Sequence, residues 1–391
     1  MNESVPPLTI ALLAGEASGD NLGAALLRQL KVLAPDARFV GIGGPAMLAE
    51  GFQSDIDIER LSVNGIVEPL KRLPELIRIL YRMRDRVLDS GADCFIGIDF
   101  NFFNIMLAGM LKRRGVKTVQ YVSPTVWAWR KGRIHKIRRN IDLMMTLYPF
   151  ETRIYQEHEV PVVFVGHPKA DEIEPQAGLE GRAAARQLLD IDERETVVAM
   201  LPGSRGSEVA MTGADFLATA MHLKGVVDRF VIPAANEKRR EQLTKMLAEY
   251  PDLVVSVQLL QGQSREAMTA ADVVLVNSGT ATLEAMLLKK PMVMSYRLGP
   301  ATYAIVSRMI DMPWFALPNI LAGKRLVTEM IQDDADPVAI AREVRMLLEA
   351  DNVEAMLLEY DAIHQTLRKG AAPGRAAATA VLELLGKRTD G

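Results

Sequence analysis

Short apolar runs alternate with helical patterns along most of this chain, and that alternation leaves few folds open to it. Runs at Leu8 to Leu13, Arg38 to Gly41, Cys94 to Ile98, Thr118 to Val122, Leu143 to Thr146 and Val162 to Val165 read as strands, with helical patterns between several of them. Strands joined through helices run parallel, and a parallel sheet is covered on both faces. A second set follows at Thr196 to Leu201, Phe230 to Pro233, Leu253 to Val257, Val273 to Val276 and Met292 to Ser295. Between the sets, Pro168 to Gly181 carries Pro175, Gly178 and Gly181 and reads as a linker. The 391 residues thus divide into a doubly wound, Rossmann-like α/β domain over 1–170, a second over 182–350 facing it across a cleft, and a helical tail over 351–391 that packs back on the first domain.

Three of the turns between strand and helix are built for binding. The first, Ala14-Gly15-Glu16-Ala17-Ser18-Gly19-Asp20, leads into a helix with Leu22, Leu26, Leu30 and Leu33 on one side. A glycine-rich turn there presents backbone N–H groups and short polar side chains at the edge where open α/β sheets bind ligands. Gly15 and Gly19 suit the tight turn, Ser18 or Asp20 can cap the helix, and Glu16 has no evident structural duty, which makes it a catalytic candidate. In the second domain, Pro202-Gly203-Ser204-Arg205-Gly206-Ser207-Glu208 and Asn277-Ser278-Gly279-Thr280-Ala281-Thr282-Leu283-Glu284 repeat the arrangement, a geometry suited to a diphosphate. Arg205 adds a positive fork for phosphate oxygens, and Glu284, one turn into its helix, can accept ribose hydroxyls. Two ordinary capped turns would look much the same, but two in one domain, one carrying an arginine, favour a nucleotide site over residues Gly203, Ser204, Arg205, Glu208, Ser278, Gly279, Thr280 and Glu284.

Asp99 follows the strand Phe95-Ile96-Gly97-Ile98 directly. It either points out as a general base or caps the helix from about Phe102 to Arg113. Gly41-Ile42-Gly43-Gly44-Pro45-Ala46 satisfies G-x-G-x-x-A, but it follows the second strand and Pro45 interrupts the turn, so a dinucleotide site is not expected there. No P-loop and no G-x-S-x-G nucleophile turn is present.

Composition removes other classes. A net charge of −3 gives no argument for nucleic acid, the single Cys94 allows neither a disulfide nor a thiolate metal site, and the five histidines lack ligand spacing, so no metal or other cofactor is expected. Glu3 and the lack of a basic segment before Leu8 do not read as a signal peptide, and no run reaches a membrane span, so a cytoplasmic protein is expected.

Taken in order, Ala14 to Asp20 with Leu22-Gly23-Ala24, Gly65-Ile66-Val67-Glu68, Gly97-Ile98-Asp99, Tyr121 to Arg130, Gly166-His167-Pro168, Leu201 to Glu208, Ser278 to Glu284 and Leu317-Pro318-Asn319-Ile320-Leu321-Ala322-Gly323 resemble the lipid-A-disaccharide synthase family, inverting glycosyltransferases of GT-B architecture. The resemblance implies transfer of 2,3-diacylglucosamine from UDP to the 6-hydroxyl of 2,3-diacylglucosamine 1-phosphate, giving a β-1,6-linked disaccharide 1-phosphate and UDP, in lipid A and hence lipopolysaccharide biosynthesis. It implies Asp99 as base, Arg205 on the leaving diphosphate, and Gly15, Ser18, Asp20 and Asn319 among the substrate-binding residues. Many members have a proline and a second aspartate after the Gly-Ile-Asp, where this chain has Phe100, Asn101 and Phe102. Because both substrates are acylated, peripheral association with the cytoplasmic face of the inner membrane is implied too. Ile66, Val67, Leu70 and Leu73 recur beside Lys71, Arg72 and Arg78 as a candidate membrane-facing patch, with Pro74 opening a regular helix. A homodimer is an assembly open to such a chain. Two rival readings are a UDP-sugar 2-epimerase, which needs no basic apolar patch, and a non-catalytic nucleotide-sugar or lipid-binding protein.

Overall fold

A computed structural model describes residues 7–61, 72–126, 131–299, 303, 313–349, 353–369 and 372–387. The chain forms two compact units, one comprising Met1–Glu172 with Leu367–Gly391 and the other Ile173–Thr366.

The first unit holds a six-stranded parallel sheet in the order β2-β1-β3-β4-β5-β6. Its strands are β1 (Thr9–Ala14), β2 (Arg38–Ile42), β3 (Cys94–Ile98), β4 (Lys117–Tyr121), β5 (Leu143–Thr146) and β6 (Val162–Phe164). β1 and β3 are buried along their whole length, as continuous apolar runs in the middle of a doubly covered sheet must be. From β1 the chain crosses to β2 on one side and then to β3 on the other, with Ala14 beside Ile98 in register. That reversal is the switch point, where loops leaving adjacent strands diverge and open a crevice at the carboxyl ends. The helices used below are α1 (Ala17–Leu33), α2 (Pro45–Ala49), α3 (Leu73–Asp89), α4 (Asn101–Lys112) and α5 (Ile134–Asn140).

The second unit repeats the plan with the order β12-β11-β10-β7-β8-β9. β7 (Val197–Leu201), β8 (Arg229–Ala234), β9 (Val257–Gln261), β10 (Val273–Val276), β11 (Met292–Tyr296) and β12 (Thr328–Ile331) are all parallel, and the switch point falls between β7 and β10, where Leu201 pairs with Val276. Both glycine-rich turns of this unit leave from that point. Its helices include α6 (Gly206–Leu223), α7 (Glu237–Leu247), α8 (Thr280–Leu287), α9 (Leu317–Ala322), α10 (Pro337–Leu348) and α11 (Glu354–Leu367).

Four details differ from expectation. The strand placed at Leu253 to Val257 begins only at Val257, because Pro251 opens a one-turn helix, Pro251–Leu253, which suits a residue without an N–H. β12 has no counterpart in the sequence reading, and the linker carries short helices at Pro168–Glu172 and Ala177–Glu180. The tail over 351–391 also divides. α11 lies almost wholly in the second unit, where His364 contacts Lys289, whereas α12 (Arg375–Leu384) packs on α1 in the first. Gly374, at φ +83°, allows that docking, since a β-carbon there would lie 2.6 Å from the Ala25 backbone.

Candidate functional site

At the switch point of the first unit, α1 starts tight against the end of β3. A β-carbon on Gly15 would lie 2.3 Å from the Phe100 ring, and one on Gly19 would lie 3.0 Å from the Ile98 carbonyl oxygen. These glycines therefore serve close approach, which brings Ser18 onto Asp99. The Ser18 Oγ donates to Asp99 Oδ2 at 2.5 Å. Asp99 holds a left-handed backbone, φ +53°, and its N–H donates to the Tyr121 carbonyl. A non-glycine residue in that region is strained, and such strain persists where surrounding contacts impose it. The alternative duty for Asp99 is not taken up, because α4 starts after Phe100 without any side-chain cap. Glu16 sits exposed at the N-cap of α1 in extended conformation.

Phe102, which stands in the departure from the family pattern, is 72% exposed on the first turn of α4, with Lys136 Nζ of α5 5.2 Å from its ring centroid. Asn101 accepts from Gln120 Nε2 at 3.1 Å. Thus a buried β4 amide anchors the start of α4, a contact invisible in the sequence.

Asp20, expected among the binding residues, is engaged within the fold. It is buried, and its carboxylate accepts from the N–H groups of Gly44, Ala46 and Met47 at 2.8 to 3.0 Å. It therefore anchors the start of α2 rather than capping α1 or meeting a ligand. The same contacts occupy N–H groups of the G-x-G-x-x-A segment that a pyrophosphate would otherwise use.

In the second unit, Gly203 adopts φ +123° and Gly279 φ +102°, backbone that side chains rarely tolerate. Glu208 folds back on the first turn. Its Oε2 accepts from the N–H groups of Ser204 and Arg205, each at 3.1 Å, and its Oε1 meets Arg205 Nη1 at 3.0 Å. Glu208 is thus a brace for the loop, and the Ser204 amide assigned to a diphosphate is already bonded. Arg205 remains 79% exposed in its side chain. Asn277, missed by the sequence reading although it directly follows β10, ties the two turns together by donating to the Pro202 carbonyl and accepting from Ser278 N–H. Tyr296, at the end of β11, hydrogen-bonds Ser278. Burial first, then the nearby Glu208 carboxylate, raise its phenol above the ordinary value. Thr280 is exposed at the start of α8, and Glu284 is half-buried with its Oε1 3.4 Å from Arg265 Nε.

Asn319 is not a surface ligand. It is fully buried, donating to the Val327 carbonyl and to Glu329 Oε1 while accepting from Leu326 and Val327 N–H. Every hydrogen-bonding position of its amide is taken by the approach to β12.

Of the apolar patch, Ile66, Val67 and Leu70 lie outside the described residues, as do Trp127 to Arg130. Leu73 begins α3, with Pro74 in its first turn, and is followed at helical spacing by Ile77 and Tyr81, these three being 46%, 43% and 45% exposed. Arg78 and Arg82 flank that stripe in exposed positions, and the Arg84 guanidinium lies 4.9 Å from the Tyr81 ring centroid. No helix among the described residues is long and apolar enough to cross a membrane.

Comparison with known proteins supplies what the geometry leaves open. A family model described as lipid-A-disaccharide synthetase matches residues 10–381. A lipid-A-disaccharide synthase of Azotobacter vinelandii is 49% identical over 381 residues, covering 96% of this chain and 98% of that protein. Among solved structures, MurG of Acinetobacter baumannii matches with a TM-score of 0.58 at 13% identity, over 98% of this chain and 100% of that one. The UDP-GlcNAc 2-epimerase of Neisseria meningitidis, solved with UDP-GlcNAc, matches at 0.62 and 14%, over 97% and 99%. At such identities the structural likeness speaks to the fold, which is GT-B.

Proposed function

The chain belongs to the lipid-A-disaccharide synthase family, and on that premise we propose how its residues carry the reaction. It is a glycosyltransferase of lipid A disaccharide synthesis, and the epimerase likeness is a relation of fold. We assign the donor to the turns after β7 and β10 and the base to Asp99. The acceptor 6-hydroxyl oxygen attacks the anomeric carbon of UDP-2,3-diacylglucosamine from the face opposite UDP. The new C–O bond forms as the bond to the diphosphate breaks, the configuration inverts, and Asp99 takes the hydroxyl proton. Negative charge then grows on the departing UDP, where Arg205 meets it.

The observation that carries the base assignment is Asp99 itself, a carboxylate on strained backbone at the switch point, bonded by Ser18 instead of capping α4. Ser18 fixes the rotamer, so the proton acceptor need not reorganise during transfer. Asp99→Asn keeps the shape and removes the base, so turnover is expected to fall by about 10² to 10⁴ while the affinity for UDP stays the same. Turnover close to that of the parent protein would remove Asp99 from the mechanism.

For the acylated substrates we propose peripheral contact with a membrane surface, supported by the α3 stripe of Leu73, Ile77 and Tyr81 beside Arg78 and Arg82.

A further inference from the structure

We propose that Arg239 on α7 is a second diphosphate ligand, acting beside Arg205; this rests on the reading that a nucleoside diphosphate binds at the turn after β7. A β-carbon on Gly206, the first residue of α6, would lie 2.0 Å from Arg239 Nη1 and 3.0 Å from its Cζ. The guanidinium therefore lies against the backbone at the start of α6, in space that a side chain on Gly206 would take. Two further contacts set α7 beside this backbone: Asn236 Oδ1 caps α7 by accepting from the Arg239 backbone N–H at 3.0 Å, and Gln242 Nε2 ties α7 to α6 by donating to the Gly206 carbonyl at 3.1 Å.

The charge held there is unbalanced. Arg205 pairs with Glu208, Arg240 with Glu237 and Arg265 with Glu284, whereas the Arg239 side chain makes no ion pair or hydrogen bond among the described residues. Its Nε is buried without an acceptor. A donor withdrawn from water and left unbonded opposes folding, so its retention here asks for a partner. The ligand class follows from the surroundings. A planar guanidinium beside the N–H groups at the positive end of an 18-residue helix, with a second arginine preceding that helix, suits the oxygens of a diphosphate.

Calorimetric titration of the full chain with UDP and with uridine tests the assignment. In Arg239→Gln, UDP binding is expected to weaken by more than about fivefold with uridine binding unchanged, since a charge-assisted bond is lost only where phosphate is present. Gly206→Ala, which keeps the arginine but displaces it, should reproduce this pattern and serves if Arg239→Gln does not fold. Arg239→Lys should recover part of the loss. A smaller loss for UDP, or an equal loss for uridine, overturns the proposal. Arg205→Gln separates the two readings: if it weakens UDP binding and Arg239→Gln does not, Arg239 alone is excluded, and if neither does, the donor site after β7 falls with it.

Discussion

At the scale of single residues, His167 shows how burial decides behaviour. It is buried in the Gly166-His167-Pro168 turn, its Nδ1 accepts from the Lys169 N–H, and desolvation, aided by the Lys169 charge, lowers it from 6.5 to about 3. Between those values the unfolded chain takes up a proton that the folded chain refuses, so stability is fully present above the unfolded value and is lost as pH falls below it. Going from pH 7 to pH 5 should cost the parent protein about 2 kcal/mol more than His167→Asn, measured by urea unfolding. Equal losses would mean that the folded histidine titrates freely. Surroundings also decide the orientation of Asp20 and Asp99, two acids next to the carboxyl ends of adjacent strands. Asp20 turns inward onto the amides of α2, and Asp99 turns toward Ser18. Those amides lie 24 to 27 residues from Asp20, so the residue's own neighbourhood in the sequence cannot tell a ligand from an anchor.

At the scale of elements, α3 carries a prediction of its own. Its inner face holds Ile79, Leu80, Met83 and Val87 in the core, while Leu73, Ile77 and Tyr81 lie on the outer stripe. Half-exposed side chains of this size each gain about 1 kcal/mol on entering an apolar phase, and the flanking arginines add an attraction that salt screens. Changing all three to serine should reduce binding to anionic vesicles by at least about tenfold in flotation at 0.1 M salt, with UDP affinity unchanged. Undiminished flotation would place any membrane contact elsewhere. β12 escaped the sequence reading because, as an edge strand, it buries little: Thr328, Glu329 and Ile331 are only half-buried, and Glu329 turns back to bond Phe315 and Ala316 N–H. The central strands, apolar throughout and bounded by turns, were legible nearly to the residue.

At the scale of the whole molecule, each unit has its own core, and the last helix completes the first. Ala377, Ala378, Val381 and Leu382 of α12 are buried in the cluster that also holds Leu26, Leu27 and Leu30 of α1. Leu382→Ala should therefore cost about 2 to 5 kcal/mol. In hydrogen exchange the loss of protection should appear in β1 and α1 and spare β7 and β10; uniform loss over both sheets would mean that the two units unfold as one. What the sequence determined by itself was periodic or local: parallel sheets from apolar runs, tight turns from glycines after strands, and the family from motifs in order. What the tertiary structure decided was which polar groups still face outward. Asp20, Glu208 and Asn319 were taken up by distant or folded-back amides, while Asp99 is bonded by the Ser18 hydroxyl and Arg205, paired with Glu208, keeps most of its side chain exposed. The physical reason is that buried N–H groups must find acceptors, and their partners exist only once the chain has brought separate segments together.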